Sequence, residues 1–201
     1  MDIREKIIAE AGKLFMTNGV KKIKMDTIAK RLMISKRTIY ESFKNKDELI
    51  RETLDYEHRK HVDINNAIIE RSDNIIEAVL LFLKTGSEIL SQVNPDYFSD
   101  LKRLYPAIWK GKVQESKMYT FKLILGLLKK GKEQGIYLED INEEIIALIL
   151  IEQLFLISDQ TVFPPSRYPI TEVYENIIVS MTRGVATRRG LELLEKYRQG
   201  K

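Results

Sequence analysis

The sequence predicts an all-α fold, with a small helical unit over residues 1–46 followed by a larger helical body over residues 47–201. Three observations predict it. Apolar residues recur at three- and four-residue spacing along most of the chain. Polar cap residues and glycine or proline breaks punctuate that pattern at helix-length intervals. No alternation of period two exceeds a few residues, and there is no internal repeat. At 201 residues, 44% hydrophobic and 31% charged, the chain has enough apolar surface for a sizeable core.

Each element has its own signal. Asp2 and Glu5 have capping-box spacing, and Ile3, Ile7, Ala11 and Leu14 carry the first helix to a stop near Asn18-Gly19. Two short helices follow, from Met25 to Leu32 and from Lys36 to Phe43. Asp47 and Glu48 put negative charge at the start of a long helix over residues 47–69, through Leu49, Ile50, Leu54 and Val62. Ser72 or Asp73 is expected to cap a helix over Ile75–Leu90. Asn94-Pro95-Asp96 starts another, which Pro106 interrupts, and a longer helix runs through Phe121–Leu128 to Gly135. Asp140 with Glu143 is expected to open the most apolar helix, over residues 141–160, and "FPPSRYP" is the proline-rich loop after it. Helices over residues 171–187 and 191–197 complete a set of nine or ten.

Composition removes several classes of function. There is no cysteine, which excludes disulfides and thiolate metal sites and fits a reducing compartment. The N-terminus lacks the uninterrupted apolar core of a signal peptide. The most apolar stretch, Ile145 to Ile157, contains Glu152 and Gln153 and is shorter than the ~18 residues that cross a bilayer. A cytoplasmic protein with no membrane association is expected. The net charge of +4 is unevenly spread. Residues 1–50 carry 12 Lys and Arg against 7 Asp and Glu, while the remaining 151 carry 21 against 22. Residues 20–46 alone hold 9 basic groups against 2 acidic ones. Such asymmetry suggests a phosphate-binding module on a neutral body.

That module is "MDTIAKRLMISKRTIYESFKNKDELI", residues 25–50. Two short helices joined by a tight turn, the second with basic groups on its exposed face, describe a helix-turn-helix. Ile28, Ala29 and Leu32 give the first helix its inward face, Ile34 fills the turn, and Ser35 caps the second helix, which Ile39 and Phe43 bury. Lys36, Arg37, Thr38 and Tyr40 are left facing outward. These residue types suit a DNA major groove: Lys and Arg for guanine edges, Thr for a thymine methyl or phosphate, Tyr for phosphate. The candidate DNA-binding set is Lys24, Thr27, Ser35, Lys36, Arg37, Thr38, Tyr40, Lys44 and Lys46.

The same stretch resembles the TetR family of bacterial transcriptional regulators. Ile28-Ala29, Ile34-Ser35, Ile39-Tyr40, Phe43 and Lys46-Asp47-Glu48-Leu49 stand in the register of that family's N-terminal pattern, over about residues 3–50. "LLKKGKEQGIY" and "TRGVATRRG" resemble its C-terminal stretches more weakly. The resemblance implies an N-terminal three-helix helix-turn-helix DNA-binding domain and a C-terminal helical ligand-binding and dimerisation domain. It also implies a homodimer acting on double-stranded operator DNA and answering a small-molecule effector. Two positions depart from the pattern. Met33 replaces the usual turn glycine, so it must adopt a left-handed backbone or relax the turn, and an apolar side chain there can cover the helix junction. Lys24 stands where Ser or Thr is usual. It is a poor cap, so Asp26 or Thr27 is expected to cap the helix while Lys24 touches phosphate.

In the helical body, Phe82, Tyr105, Trp109 and Tyr119 are candidate pocket residues, although aromatics at such spacing are more often plain core. The helix Ile145 to Ile157 is apolar almost all round and must be buried on several sides. Pairing with the 171–187 helix across a two-fold axis accounts for this, with Leu148, Ile151, Phe155, Tyr174, Ile178 and Met181 at the interface. His58 and His61 share one helix side but read as surface residues on a charged helix, so neither a metal nor any other cofactor is expected. The expected function is a repressor released from a palindromic operator by a small apolar or amphipathic ligand. A constitutive DNA-binding accessory protein without a ligand is the alternative. A helical enzyme with a basic arm has no cysteine nucleophile and no Gly-rich phosphate loop behind it, and no catalytic residue is expected.

Overall fold

The computed structural model describes residues 2–199. Residues 1, 200 and 201, at the outer ends of the two expected domains, lie outside the described residues. Among the described residues there are ten helices: α1 (Ile3–Asn18), α2 (Met25–Leu32), α3 (Lys36–Ser42), α4 (Lys46–Arg71), α5 (Ile75–Leu90), α6 (Asp96–Leu104), α7 (Pro106–Glu133), α8 (Glu143–Leu156), α9 (Ile170–Val185) and α10 (Arg188–Gln199). An isolated bridge between Tyr137 and Ala186 is the extended pairing. The chain divides into two compact units. One runs to Ile64 and takes in Gln92–Gln114; the other comprises Asn65–Ser91 and the chain from Glu115 onward.

The first unit is built as its local signals dictate. The Glu5 N–H donates to Asp2 Oδ1 at 2.8 Å and the Asp2 N–H to Glu5 Oε2 at 3.1 Å, completing the capping box of α1. Gly19, at φ +83°, ends the helix with its N–H on the Phe15 carbonyl. The core joins Ile7, Ile8, Ala11 and Phe15 of α1 to Ile28 and Ala29 of α2, then to Ile39, Phe43, Leu49 and Ile50. Each large side chain so buried contributes roughly 1.5–3 kcal/mol.

Leu101 of α6 and Ile108 of α7 belong to the same core. Polar bonds fix the later stretch to the earlier one. The Asn94 N–H donates to the Met16 carbonyl at 2.7 Å, and the Lys21 N–H to Asp100 Oδ2 at 2.7 Å. Asp100 is buried, so this bond satisfies a carboxylate and an amide in one step.

The second unit packs Ile75 and Ile76 of α5, Ile124 and Leu128 of α7, Ala147 and Ile151 of α8, and Leu194 of α10 around Ile136 and Tyr137. Gly131 makes room for the Tyr137 ring, which a Cβ at that position would enter. Burial pushes the Tyr137 hydroxyl well above its ordinary pKa.

In the second unit two caps differ from the expected ones. Asn74, not Ser72 or Asp73, caps α5, its Oδ1 accepting from the Ile76 and Glu77 N–H groups at 3.1 Å. The Ser72 hydroxyl turns back to the Ile68 carbonyl instead. Asn142, not Asp140, caps α8 by accepting from the Ile145 N–H at 3.1 Å. A cap oxygen must reach the second or third helical N–H, and the residue immediately before the first turn does so in both helices. The α8 helix is also shorter than expected, ending at Leu156.

Candidate nucleic-acid interface

Helix α3 is fixed at both ends. The Thr38 N–H donates to Ser35 Oγ at 3.0 Å, and the Ser35 and Thr38 hydroxyls lie 2.8 Å apart. Ile39 and Phe43, both essentially inaccessible, anchor the inner face. At about 100° per residue, Arg37 and Glu41 stand opposite Ile39, with Lys36 and Tyr40 on one flank and Thr38 on the other. Arg37 Nε donates to Glu41 Oε1 at 2.7 Å.

Helix α2 begins at Met25, two residues earlier than a cap at Asp26 requires and three earlier than one at Thr27. Lys24 is the N-cap and its side chain makes no capping bond. The register is set by Met25, whose side chain is buried in the core and makes it the first helical residue. Asp26 is therefore inside the helix, where it pairs with Lys36 across the two helices at 2.9 Å. That hydrogen bond and charge raise the Lys36 pKa.

Between the helices Met33 takes the left-handed conformation, φ 53° and ψ 38°. It is 93% exposed, so it does not cover the helix junction; half-buried Ile34 does the filling. The αL turn satisfies the end of α2, with the Ile34 N–H on the Ala29 carbonyl at 3.0 Å.

Lys24, Thr27, Ser35, Lys36, Arg37, Tyr40 and Lys44 are all exposed, and Thr38 is half-buried. Lys46 differs from them. Its Nζ donates to the Val20 carbonyl at 2.6 Å and lies 5.5 Å from the centre of the Phe15 ring. Burial lowers its pKa, against the opposing pull of Asp100 and Asp47. Lys46 thus ties the start of α4 to the α1–α2 loop, and its other N–H groups remain for an outside acceptor.

Sequence reasoning passes over Glu41 and gives Asp26 only the role of a helix cap. The Arg37–Glu41 spacing of four along a helix was a legible signal. The Asp26–Lys36 pair spans two helices and had none.

The four aromatics expected at a ligand pocket do not share one unit. Tyr105 and Trp109 pack on the core of the first, where Trp109 meets Phe98 edge-on at 6.3 Å. Phe82 and Tyr119 are in the second unit, where the Phe82 carbonyl accepts from the Tyr174 hydroxyl at 3.3 Å and the Tyr119 hydroxyl from Asn65 at 3.2 Å.

The residues expected at a dimer interface divide as well. Leu148 is exposed, but Ile151 is 3% exposed and belongs to the core of its own unit, which corrects its expected place on a surface. Phe155 and Met181 are half-buried against that core, and Ile178 and Tyr174 are half-buried. Burial also pushes the Tyr174 hydroxyl up to about 12. The outward apolar stripe of α8 is Ile145, Leu148, Ile149 and Leu156. Among the described residues no helix is long and apolar enough to cross a membrane, and no three metal-ligating side chains converge.

Comparison with known proteins gives three concordant results. Residues 7–53 match the family model of bacterial regulatory proteins of the tetR family. The chain is 24% identical over 188 residues to YvaF, an uncharacterized HTH-type transcriptional regulator of Bacillus subtilis (strain 168), covering 90% of this chain and 94% of that one. A TetR-family transcriptional regulator from Agrobacterium tumefaciens superposes with a TM-score of 0.72 at 13% identity, over 92% of this chain and 97% of its own. A transcriptional regulator from Cytophaga hutchinsonii ATCC 33406 gives 0.70 at 17% identity, over 91% and 98%. At these identities the two structures show a common fold.

Proposed function

Because this chain belongs to the TetR family of bacterial transcriptional regulators, which bind DNA, we propose that it is a repressor released from a palindromic operator by a small apolar or amphipathic ligand. The observation that carries the DNA-binding part is the outward face of α3. Its Lys36, Arg37 and Tyr40 stand away from an anchored Ile39, with Lys24, Thr27, Ser35, Thr38 and Lys44 around them. Direct base contacts fall to Lys36 and Arg37, and the flanking groups, with Lys46 at the start of α4, take phosphates.

A homodimer accounts for the outward face of α8, since its four large apolar side chains, set around the Glu152–Lys117 ion pair, are better buried against a second copy than left in water. Two copies would present their recognition helices about one DNA turn apart, ~34–36 Å, and so read a palindrome. The ligand completes the reading. It rests on the apolar helices of the body, with Phe82 and Tyr119 as candidate contacts there and Tyr105 and Trp109 beside the DNA-binding core.

Selection of binding sites from randomised duplexes tests the reading. Enriched sites with two-fold symmetry are expected, and binding should weaken steeply with salt. About 8 phosphates per dimer correspond to a log–log slope of about −7. A slope near zero on the enriched duplex would overturn the assignment. Titrating the complex with a panel of apolar and amphipathic metabolites tests release, and a complex that none of them weakens would favour the constitutive accessory protein.

A further inference from the structure

We propose that Glu41 is a specificity-determining residue. It holds the Arg37 guanidinium for a guanine edge and discourages Arg37 from settling on phosphate. The inference rests on the DNA-binding reading above and adds to it a residue and a task. Glu41 sits at the apex of the recognition face, opposite the buried Ile39, in a segment where 9 of 11 charged groups are basic. An acid there repels the phosphates that the rest of the face attracts, so it weakens binding to DNA at large. Nor does it serve the fold. The pair is exposed on both sides, 87% for Arg37 and 59% for Glu41, and an ion pair in that setting contributes little to stability.

The geometry gives the pair another use. Glu41 engages Arg37 through Nε, at 2.7 Å. That bond leaves the two terminal nitrogens of the guanidinium as a fork, the arrangement that matches O6 and N7 of guanine. A flexible arginine can satisfy itself on any nearby phosphate. One braced by a carboxylate loses that option, because following a phosphate means leaving the acid behind, unpaired, against the DNA. Sites that offer guanine keep both groups satisfied, and sites that do not are penalised. The Lys36–Asp26 pair lacks this property, since an ammonium is a point charge with no fixed fork.

The experiment compares the unaltered protein with Glu41→Gln, Glu41→Ala, Arg37→Ala and the Arg37→Ala/Glu41→Ala double variant. Each is titrated by fluorescence anisotropy on the selected duplex, on that duplex with each base pair changed in turn, and on a random duplex. Circular dichroism checks that all remain folded. Removing the acid should raise affinity for random DNA several-fold, because one repulsive charge is gone, while the ratio of selected to random binding falls roughly tenfold. The lost discrimination should fall on the same base pair that Arg37→Ala blurs, and Glu41→Ala should add no further loss in the Arg37→Ala background. An unchanged ratio overturns the proposal. So does a loss at a base pair that Arg37→Ala leaves intact, which would mean that Glu41 reads a base by itself. Unaltered protein that binds neither duplex would sink the DNA-binding reading and this inference together, whereas normal binding with an unchanged ratio sinks this inference alone.

Discussion

Replacing Met33 by glycine should stabilise the DNA-binding unit. The residue sits at φ 53° and ψ 38°, where the Cβ of an L-residue crowds the backbone. That conformation costs about 1–2 kcal/mol. Glycine removes the crowding, but its freer unfolded chain takes back about 0.4–1 kcal/mol. No third contribution enters, because the Met33 side chain is 93% exposed and its loss uncovers no core. The difference is a gain of about 0.8 kcal/mol, or roughly a fourfold shift in the folding equilibrium. Met33→Ala is the informative control, since it removes the thioether, keeps the Cβ and should change nothing. A chain of two units does not guarantee one unfolding transition, so the local measurement is amide hydrogen exchange. The Ile39 and Phe43 amides, bonded to the Ser35 and Ile39 carbonyls, report on α3 directly. They should exchange roughly fourfold more slowly in Met33→Gly than in the unaltered protein. Exchange that is unchanged or faster, or an alanine variant as slow as the glycine one, would refute the strain argument.

Asp100→Ala removes the buried acceptor of the Lys21 N–H and should cost the first unit about 1–3 kcal/mol, while Asp100→Asn keeps an acceptor and should cost less; exchange at Lys21 distinguishes them. Leu148→Glu should give folded protein that light scattering reports as a monomer, because the side chain is exposed in the single chain. Ile151→Glu should instead disrupt the fold, costing several kcal/mol for a charge in the core, with loss of helical dichroism. Gly131→Ala drives a methyl into the Tyr137 ring and should cost about 1–3 kcal/mol, read as a lower melting temperature of the second unit.

What the sequence disclosed is what neighbours along the chain decide. Asp2 and Ser35 cap their helices, Ile28, Ile39 and Phe43 face inward, and Pro106 separates two helices, all because the partners involved lie within one turn or two. The failures were of two physical kinds. Where several polar residues adjoin a helix start, as at Ser72-Asp73-Asn74, any of them can cap, and packing of the first turn selects one. Where a helix is apolar all round, periodicity carries no direction, so Ile151 and Leu148 looked alike although one is core and the other surface. The remaining features depend on distant partners. Nothing near Lys46 reveals that its ammonium meets the Val20 carbonyl, and nothing near Tyr105 assigns it to the core of α1–α4.

The bond between Asp100 and the Lys21 amide joins positions 79 residues apart. On a ribosome moving at ~5–20 residues per second, roughly 4–16 s separate the synthesis of its two ends. All of α5, which belongs to the other unit, is made in that interval. The α1–α2 loop therefore waits without its carboxylate, and the core around Phe15 without Leu101 and Ile108, while the next unit is already emerging. A nascent chain holding only the first 64 residues has every side chain proposed to meet DNA and an open apolar flank. Such an intermediate exposes apolar surface of the kind that promotes aggregation. Fusions or gene fragments that end before residue 114 should inherit the same exposure permanently, so grafting this reader onto another body requires two separate pieces of the gene.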